Sequence, residues 1–478
     1  MTTAPIPATS PASTTSTRSY RLRWVVAAVV LAANVVDLLD ATIVNVAAPS
    51  IHRELGGGAS TIQWLSAGYT LAFAVLLIAG ARLGDILGRR RMFLVGSAGF
   101  TLTSAACSVT PSIGVLLTLR VLQGAFGALM IPQGFGLMKE VFTDQAEFNK
   151  ALGLFGPATG VALLAAPVLA GALIDWNLWD TGWRLVFLIN VPIGALALPL
   201  AFRSLPRGAS HPTMKLDLTG VGLVGLALVA IIYPLIQGRT DGWPVWSFAM
   251  LVAGALLLVG FLLHERHSKN PLIEPSLLTN GTYLSGTAVA LALFGAFGGL
   301  LLCVSLYGQL GEGWSPVEAG LALTPMVVGM ILGMFGSMAV VKRLQRHLLH
   351  IGIVLIAAGA VGLALILTGP SASGWDLVPG LFFIGMGVGA SIGQLFRFVL
   401  TSVSMDEVGS ASGVFEAVQQ LSTALGVAVL GTIFFATFAN HLPTDALRVT
   451  AWACLVPLAA AFILVFRLPM RPREEPAE

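Results

Sequence analysis

Long apolar runs punctuate this chain of 478 residues, and they limit what it can become more than any other feature. There are about fourteen, each of about 18 to 27 residues, and at about 1.5 Å per helical residue each can cross a hydrocarbon layer of roughly 30 Å. They are expected near Trp24–Val46, Trp64–Arg82, Met92–Ser108, Ser112–Leu137, Ala151–Ile174, Trp183–Phe202 and Leu218–Gln237. The second set falls near Trp246–Leu263, Thr282–Tyr307, Val317–Val341, Leu348–Thr368, Leu377–Phe396, Ser412–Phe438 and Ala446–Phe466. With 56% hydrophobic and 10% charged residues, no single soluble core could take in this much apolar surface, so lipid must solvate most of it. The 54 glycines and 25 prolines do not argue against helices there, because neighbouring membrane helices satisfy the backbone groups they free. The expected fold class is all-α and membrane-spanning.

Lysine and arginine in the short connections set the orientation. With the N-terminus on the cytoplasmic side, about 21 of them, including Arg82, Arg89, Arg90, Arg91, Lys342, Arg343 and Arg346, fall inside. About four, Arg53, Arg184, Arg239 and Arg448, fall outside, and an odd number of missed helices would scramble that alternation. Residues 1–20, rich in Thr, Ser, Ala and Pro, are expected to be disordered and cytoplasmic. The run that follows is too long for a cleaved signal segment and should be retained. The chain then divides into a six-helix bundle over 21–205, an inserted helix pair over 206–270, a second six-helix bundle over 271–467 and a cytoplasmic tail over 468–478. Internal repeats of this kind place a binding site near the midplane between halves. The repeat is faint in sequence, except that a basic connection follows the second helix of each half.

Ionisable groups within a membrane are rare and expensive, so each is a functional candidate. The first run carries Asn34, Asp37, Ala41 and Asn45 within an arc of roughly 80°, with Asp40 about 60° beyond Asp37. This polar stripe should face a cavity or another helix. A carboxyl's proton affinity responds to burial and to nearby cations, so such a group can load and unload a proton as a cavity changes sides; a static ion pair is the competing reading. Arg120 is the one basic residue well inside a run. At about 1.5 Å per residue it lies about 12 Å deep, against about 9 Å for Asp40 and 13 Å for Asp37, so it is expected to pair with one of these two acids. Glu416, one turn inside the thirteenth run, is either a further acidic site or a side chain reaching to the interface. Between the second and third runs, Gly84 and Gly88 should allow a tight turn, Asp85 could cap a neighbouring helix, and Arg89 and Arg90 mark the inner face.

Ordered across the chain, these residues resemble the major facilitator superfamily, and more narrowly its fourteen-helix drug:proton antiporter branch. Leu39-Asp40-Ala41-Thr42-Ile43-Val44-Asn45 through Pro49 is similar to that branch's first-helix signature, which implies proton or cationic-drug handling at Asp40. The stretch from Ala81 to Arg91 resembles the gating loop, with Ala81 where glycine is usual. Arg120 and Gly124 match a fourth-helix pattern associated with proton transfer. Gly182-Trp183-Arg184 followed by Phe187, Asn190, Pro192 and Gly194 matches the entry to the sixth helix. The antiporter motif of the fifth helix falls on Ala162, Ala166, Pro167, Ala170 and Gly171, with alanine at most positions where glycine is expected, which weakens the antiport inference from that motif. Glu416 stands where asparagine is more common. The resemblance implies a monomeric exporter in the bacterial cell (inner) membrane, both termini cytoplasmic. It would exchange protons for hydrophobic, cationic or zwitterionic drugs or antibiotics.

Other functions are disfavoured on chemical grounds. No phosphate-binding Gly-x-x-x-x-Gly-Lys-Ser/Thr loop accompanies the five lysines, so nucleotide is not expected as fuel, and no cofactor or metal is called for. Net charge of +3 gives no footprint for nucleic acid. An enzyme would need a His, Cys or carboxylate cluster, whereas the histidines are expected in loops and Cys107, Cys303 and Cys454 sit apart in apolar stretches. A same-fold symporter, or an exporter dedicated to one natural product, would be decided by the cavity lining. Asn34, Phe294, Phe297, Tyr307 and Gln394 are candidates for it.

Overall fold

The apolar runs fold into fourteen helices long and apolar enough to cross a membrane, in a computed structural model that describes residues 22–207, 216–268, 271–369, 371–403 and 407–471. They are α1 (Arg23–Leu55), α2 (Ser60–Leu87), α3 (Arg89–Val109), α4 (Ile113–Val141), α5 (Ala158–Trp176), α6 (Gly182–Ser204) and α7 (Leu218–Thr240), then α8 (Val245–His267), α9 (Gly281–Gly311), α10 (Pro316–Val341), α11 (His347–Ile366), α12 (Gly374–Leu400), α13 (Ser410–Phe438) and α14 (Pro443–Val465). No strand occurs among the described residues. The segment expected to be disordered, 1–20, most of the tail, and the cations Arg18, Arg21, Lys215, Lys269 and Arg473 lie outside the described residues.

The repeat that sequence barely showed is plain in the packing. In the first half α4 packs against both α2 and α3, α1 against α5, and α3 against α6. In the second, α12 packs against α10 and α11, α9 against α13, and α11 against α14, the same pairings eight helices later. Lipid offers no hydrophobic drive for helix association, so small residues that admit a neighbouring backbone do the work. On α12, a Cβ at Gly385 or Gly389 would fall 1.7 or 1.9 Å from the carbonyls of Met326 and Met330 on α10. On its other flank, a Cβ at Gly387 would fall 2.3 Å from the Gly352 carbonyl of α11. The inserted pair, α7 and α8, packs on itself and lays α7 along the seam between α2 and α13. The Tyr233 ring sits 5.9 Å from that of Trp64, while α8 leaves Val252, Leu256 and Val259 exposed for lipid.

Helix ends follow local chemistry. Ser315 and Glu318 close a capping box over Pro316 at the start of α10, and the Asn280 side chain accepts from the N–H groups of Thr282 and Tyr283 at the start of α9. Several ends extend past the apolar runs, α1 farthest, where Pro49 is carried inside the helix to Leu55. The fifth run is broken, a short helix at Gln145–Gly153 preceding Phe155–Trp176. Five histidines expected in loops, His52, His264, His267, His347 and His350, lie within helices. The turn between α2 and α3 is made by Gly88 alone, at φ +97°. Gly84 belongs to helix α2, and its lack of a side chain seats Gln133 of α4, whose Oε1 would lie 1.8 Å from a Cβ there.

Candidate functional site

Two acids three positions apart on α1, Asp37 and Asp40, receive opposite environments. Asp40 is 1% exposed and forms an ion pair with Arg120, which is 0% exposed. Its Oδ1 accepts from Gln123 Nε2 at 2.9 Å and Asn190 Nδ2 at 2.8 Å, and both amides also donate to Ser104 Oγ, at 2.7 and 3.2 Å. Arg120 Nε donates to the Leu65 carbonyl at 3.2 Å and Nη1 to Gln123 Oε1 at 2.6 Å. The guanidinium carbon lies 4.4 Å from the Tyr69 ring centroid and 5.7 Å from that of Phe187. Charges this deep persist when lone pairs and protons find partners, and here five helices, α1, α2, α3, α4 and α6, supply most of them. The depth argument left Arg120 between two acids; the geometry gives it Asp40.

Asp37 instead lines a cavity of about 310 Å³ at the junction of the bundles. The Tyr69 hydroxyl donates to its Oδ1. Glycines on α4 make room for this contact. A Cβ at Gly124 would lie 2.3 Å from the Tyr69 carbonyl, and one at Gly127 would lie 3.2 Å from Asp37 Oδ1. Around Asp37 the wall comprises Leu38, Ala41, Thr42 and Asn45 of α1, Thr70 of α2, and Thr159 and Pro167 of α5. The second half contributes Phe294, Phe297, Met326, Met330, Gln419, Gln420 and Thr423 among others. Glu416, one turn before Gln420, is half-buried and within Coulombic range of Asp37.

Of the proposed cavity residues, Phe294 and Phe297 line this space and three others do not. Tyr307 is wholly buried in a π-helical turn, where its hydroxyl donates to Glu312 Oε1 at 2.8 Å and meets the Ala372 backbone. Asn34 shares the face of Asp37 but lies a turn away, its amide donating to the Val30 carbonyl at 2.9 Å. Gln394 is buried on α12, outside the lining. In the gating loop, Asp85 caps no neighbour; it holds Arg89 across the bend at 3.1 Å, and Arg89 reaches Glu140 of α4 at 3.8 Å. Arg90 donates to the Phe202 carbonyl at 2.5 Å. Sequence reasoning gave no site role to Tyr69, Ser104, Gln123 or Asn190, the last named only within the sixth-helix motif. A signal existed for the first: Gln63, Ser66 and Tyr69 make a polar stripe at spacing three on an apolar run.

The end of the cavity remote from the arginine-rich loops is sealed. Ser305 Oγ donates to the Asn45 carbonyl at 3.1 Å, and Gln309 Nε2 to the Val46 carbonyl at 2.9 Å. Gln63 Nε2 reaches the carbonyls of Val427 and Ala428, both at 3.1 Å. The α5 motif belongs to this seal. Ala166 and Ala170 are fully buried, and at Gly171, where glycine is kept, a Cβ would lie 2.4 Å from the Pro316 carbonyl. From the other side, a Cβ at Gly320 would lie 2.2 Å from the Pro167 carbonyl. Alanine therefore occupies positions that tolerate a methyl, and the two closest crossings of α5 with α10 retain glycine.

A profile of the Major Facilitator Superfamily matches residues 30–427, and the chain belongs to that family. It is 47% identical over 424 residues to the "Probable actinorhodin transporter" of Streptomyces coelicolor, covering 87% of this chain and 73% of that protein. It is 33% identical over 411 residues to the tetracenomycin C resistance and export protein of Streptomyces glaucescens, covering 85% and 74%. Among solved structures, a bacterial homologue of the human lysosomal transporter Spinster, inward-facing and unoccupied, aligns with a TM-score of 0.64 at 17% identity, covering 96% of this chain and 100% of that one. This last likeness concerns the fold alone.

Proposed function

We propose that the protein is a proton-driven antiporter that exports a hydrophobic antibiotic or drug by alternating access, with Asp37 as the group that exchanges proton for cargo. The observation that carries this reading is the division of labour between the acids. Asp40 is consumed by Arg120, Gln123 and Asn190, whereas Asp37 keeps one donor, Tyr69, and faces the cavity. A carboxyl so placed is neutral when protonated and a counter-charge for a cationic or zwitterionic cargo when ionised, so proton and cargo compete for it. Arg120, held by Asp40, lies over the Tyr69 ring and so steadies the donor to Asp37. Glu416 adds a second carboxyl from the other bundle. The arginine-rich loops and both termini are assigned to the cytoplasmic side of a bacterial inner membrane, and one chain, lining the whole cavity itself, is the working unit. The relatives' names, one of an export protein and one of a transporter, support outward transport.

The test is transport in proteoliposomes of the purified chain with an imposed pH gradient. Cargo movement should follow the gradient and collapse with a protonophore, and Asp37→Asn should abolish the coupling. Transport indifferent to the gradient would overturn the reading. A second reading, export of one dedicated natural product, is favoured by the 47% identity to the actinorhodin transporter. A panel of cargoes in the same vesicles separates the two.

A further inference from the structure

Two amides on the cavity wall each carry a buried atom with no partner among the described residues. Asn45 is 5% exposed and lines the cavity at its sealed end, and its Oδ1 is buried without a partner. Gln419 lines the same cavity from α13, and its Nε2 is buried without a partner. The hydroxyls around them are already engaged: Thr42 donates to Leu38, Thr70 to Ser66 and Thr423 to Gln419, all to backbone carbonyls. An acceptor on one bundle and a donor on the other thus stand idle, each costing about 1–3 kcal/mol while unpaired. Phe294 and Phe297 supply apolar ring surface beside them.

Resting on the antiporter reading, we propose that Asn45 and Gln419 together recognise the oxygen-bearing edge of a flat aromatic cargo. A phenolic hydroxyl would donate to Asn45 Oδ1, a ring carbonyl would accept from Gln419 Nε2, and the ring faces would lie against Phe294 and Phe297. The class of cargo is therefore a hydroxylated aromatic ketone or quinone. A cation held by charge alone would leave both amides unpaired. The same residue touches the seal. Pro49 has no N–H, which leaves the Asn45 main-chain carbonyl four positions earlier without its helical donor, and Ser305 Oγ takes that place. Cargo seated on the Asn45 side chain therefore bears on the residue whose carbonyl latches α1 to α9.

The experiment is equilibrium binding, with no pH gradient, to the full chain in nanodiscs. The two fluorescent probes share one aminoalkyl chain, one on a 1,4-dihydroxyanthraquinone and the other on anthracene. Asn45→Ala and Gln419→Leu should each raise Kd for the quinone by about 5- to 10-fold, the loss of one hydrogen bond, and leave the anthracene probe within about 2-fold. Equal weakening of both probes, or of neither, overturns the proposal. Should Asn45→Ala fail to give a monodisperse protein, Gln419→Leu on the opposite bundle decides alone. Variants that weaken both probes alike or neither, with gradient-driven transport by the native chain intact, remove only this inference; a native chain whose transport ignores the gradient, with the quinone-selective weakening observed, removes only the antiport reading.

Discussion

Replacing Asp40 by Asn should damage the protein far more than replacing Asp37 by Asn, although both changes remove one carboxylate from the same helix. At Asp40 the substitution strands the fully buried Arg120 guanidinium, which is left with the Leu65 carbonyl and Gln123 as partners. Breaking a buried pair by removing one member typically costs about 3–5 kcal/mol. At Asp37 the substitution removes only the negative end of one hydrogen bond from Tyr69, for which an amide oxygen can substitute at about 1 kcal/mol or less. The difference, about 2–4 kcal/mol, is read by unfolding in mixed micelles as the SDS mole fraction rises, followed by helical circular dichroism. Asp40→Asn combined with Arg120→Gln should recover part of the loss, because no buried charge is left without a counter-charge. Equal stability of the two single variants would refute the assignment of Asp40 to structure. So would a double variant no more stable than Asp40→Asn.

Gly124→Ala places a methyl 2.3 Å from the Tyr69 carbonyl, so overpacking of about 1–3 kcal/mol should displace Tyr69 and reduce gradient-driven transport in vesicles more than it reduces membrane insertion. Ser305→Ala with Gln309→Ala removes two side chains of the seal, and an impermeant maleimide applied from the sealed side should then label a cysteine placed at Thr42 faster; an unchanged rate would exclude a latch there. Burial opposes charge on Asp217 at the start of α7, but the Gly220 N–H, His264 and Ser268 donate to it and hold its carboxyl below the usual range. A depressed folded value stabilises above the unfolded pKa, near about 3.9, and is lost as pH falls through the folded one. The stability gap between the native chain and Asp217→Asn should accordingly be full at neutral pH and close below about pH 4; a gap constant across that range counts against it.

Helix number was legible because apolar length is a one-dimensional property, and the stripe from Asn34 to Asn45 was legible because helical period is one too. Depth along a helix is also linear, which is why Arg120 could be matched to the Asp37–Asp40 pair. Choosing between those acids requires the rotation of α1 against α4, and that is set by Gly124 and Gly127, whose missing side chains fix how α4 meets α2 and α1. Tyr307 misled for the same reason. An aromatic on a cavity-lining helix is expected to face the cavity, but the π-turn at Tyr307–Gly311 rotates it toward Glu312 and Ala372. The alanines of α5 read as a departure in one dimension and as ordinary packing in three.

The two halves repeat their scaffolding and divide their chemistry. Gly88 and Gln345 make the equivalent turns, both at positive φ, and an arginine one or two residues after each reaches the end of its bundle's last helix. Arg90 bonds the Phe202 carbonyl and Arg346 the Phe466 carbonyl, with each guanidinium within 6 Å of the same residue's ring. Cations there complement the negative ends of α6 and α14, so the basic loops brace each bundle as well as orient it. Internally both bundles close on backbone contacts at glycine, and the first adds the Asp40 network. Between bundles, the sealed end is held by neutral bonds from Gln63, Ser305 and Gln309, each worth about 0.5–1.5 kcal/mol net, and by the Val317 N–H donating to the Asp175 carboxylate at 3.2 Å. Opening that end forfeits a few such bonds, whereas deforming either bundle would break a buried ion pair or drive backbone into backbone. The cheaper motion is rotation of intact bundles about the cavity, and Asp37, which lines that cavity from the first bundle opposite Gln419 of the second, is where such a motion would exchange one side for the other.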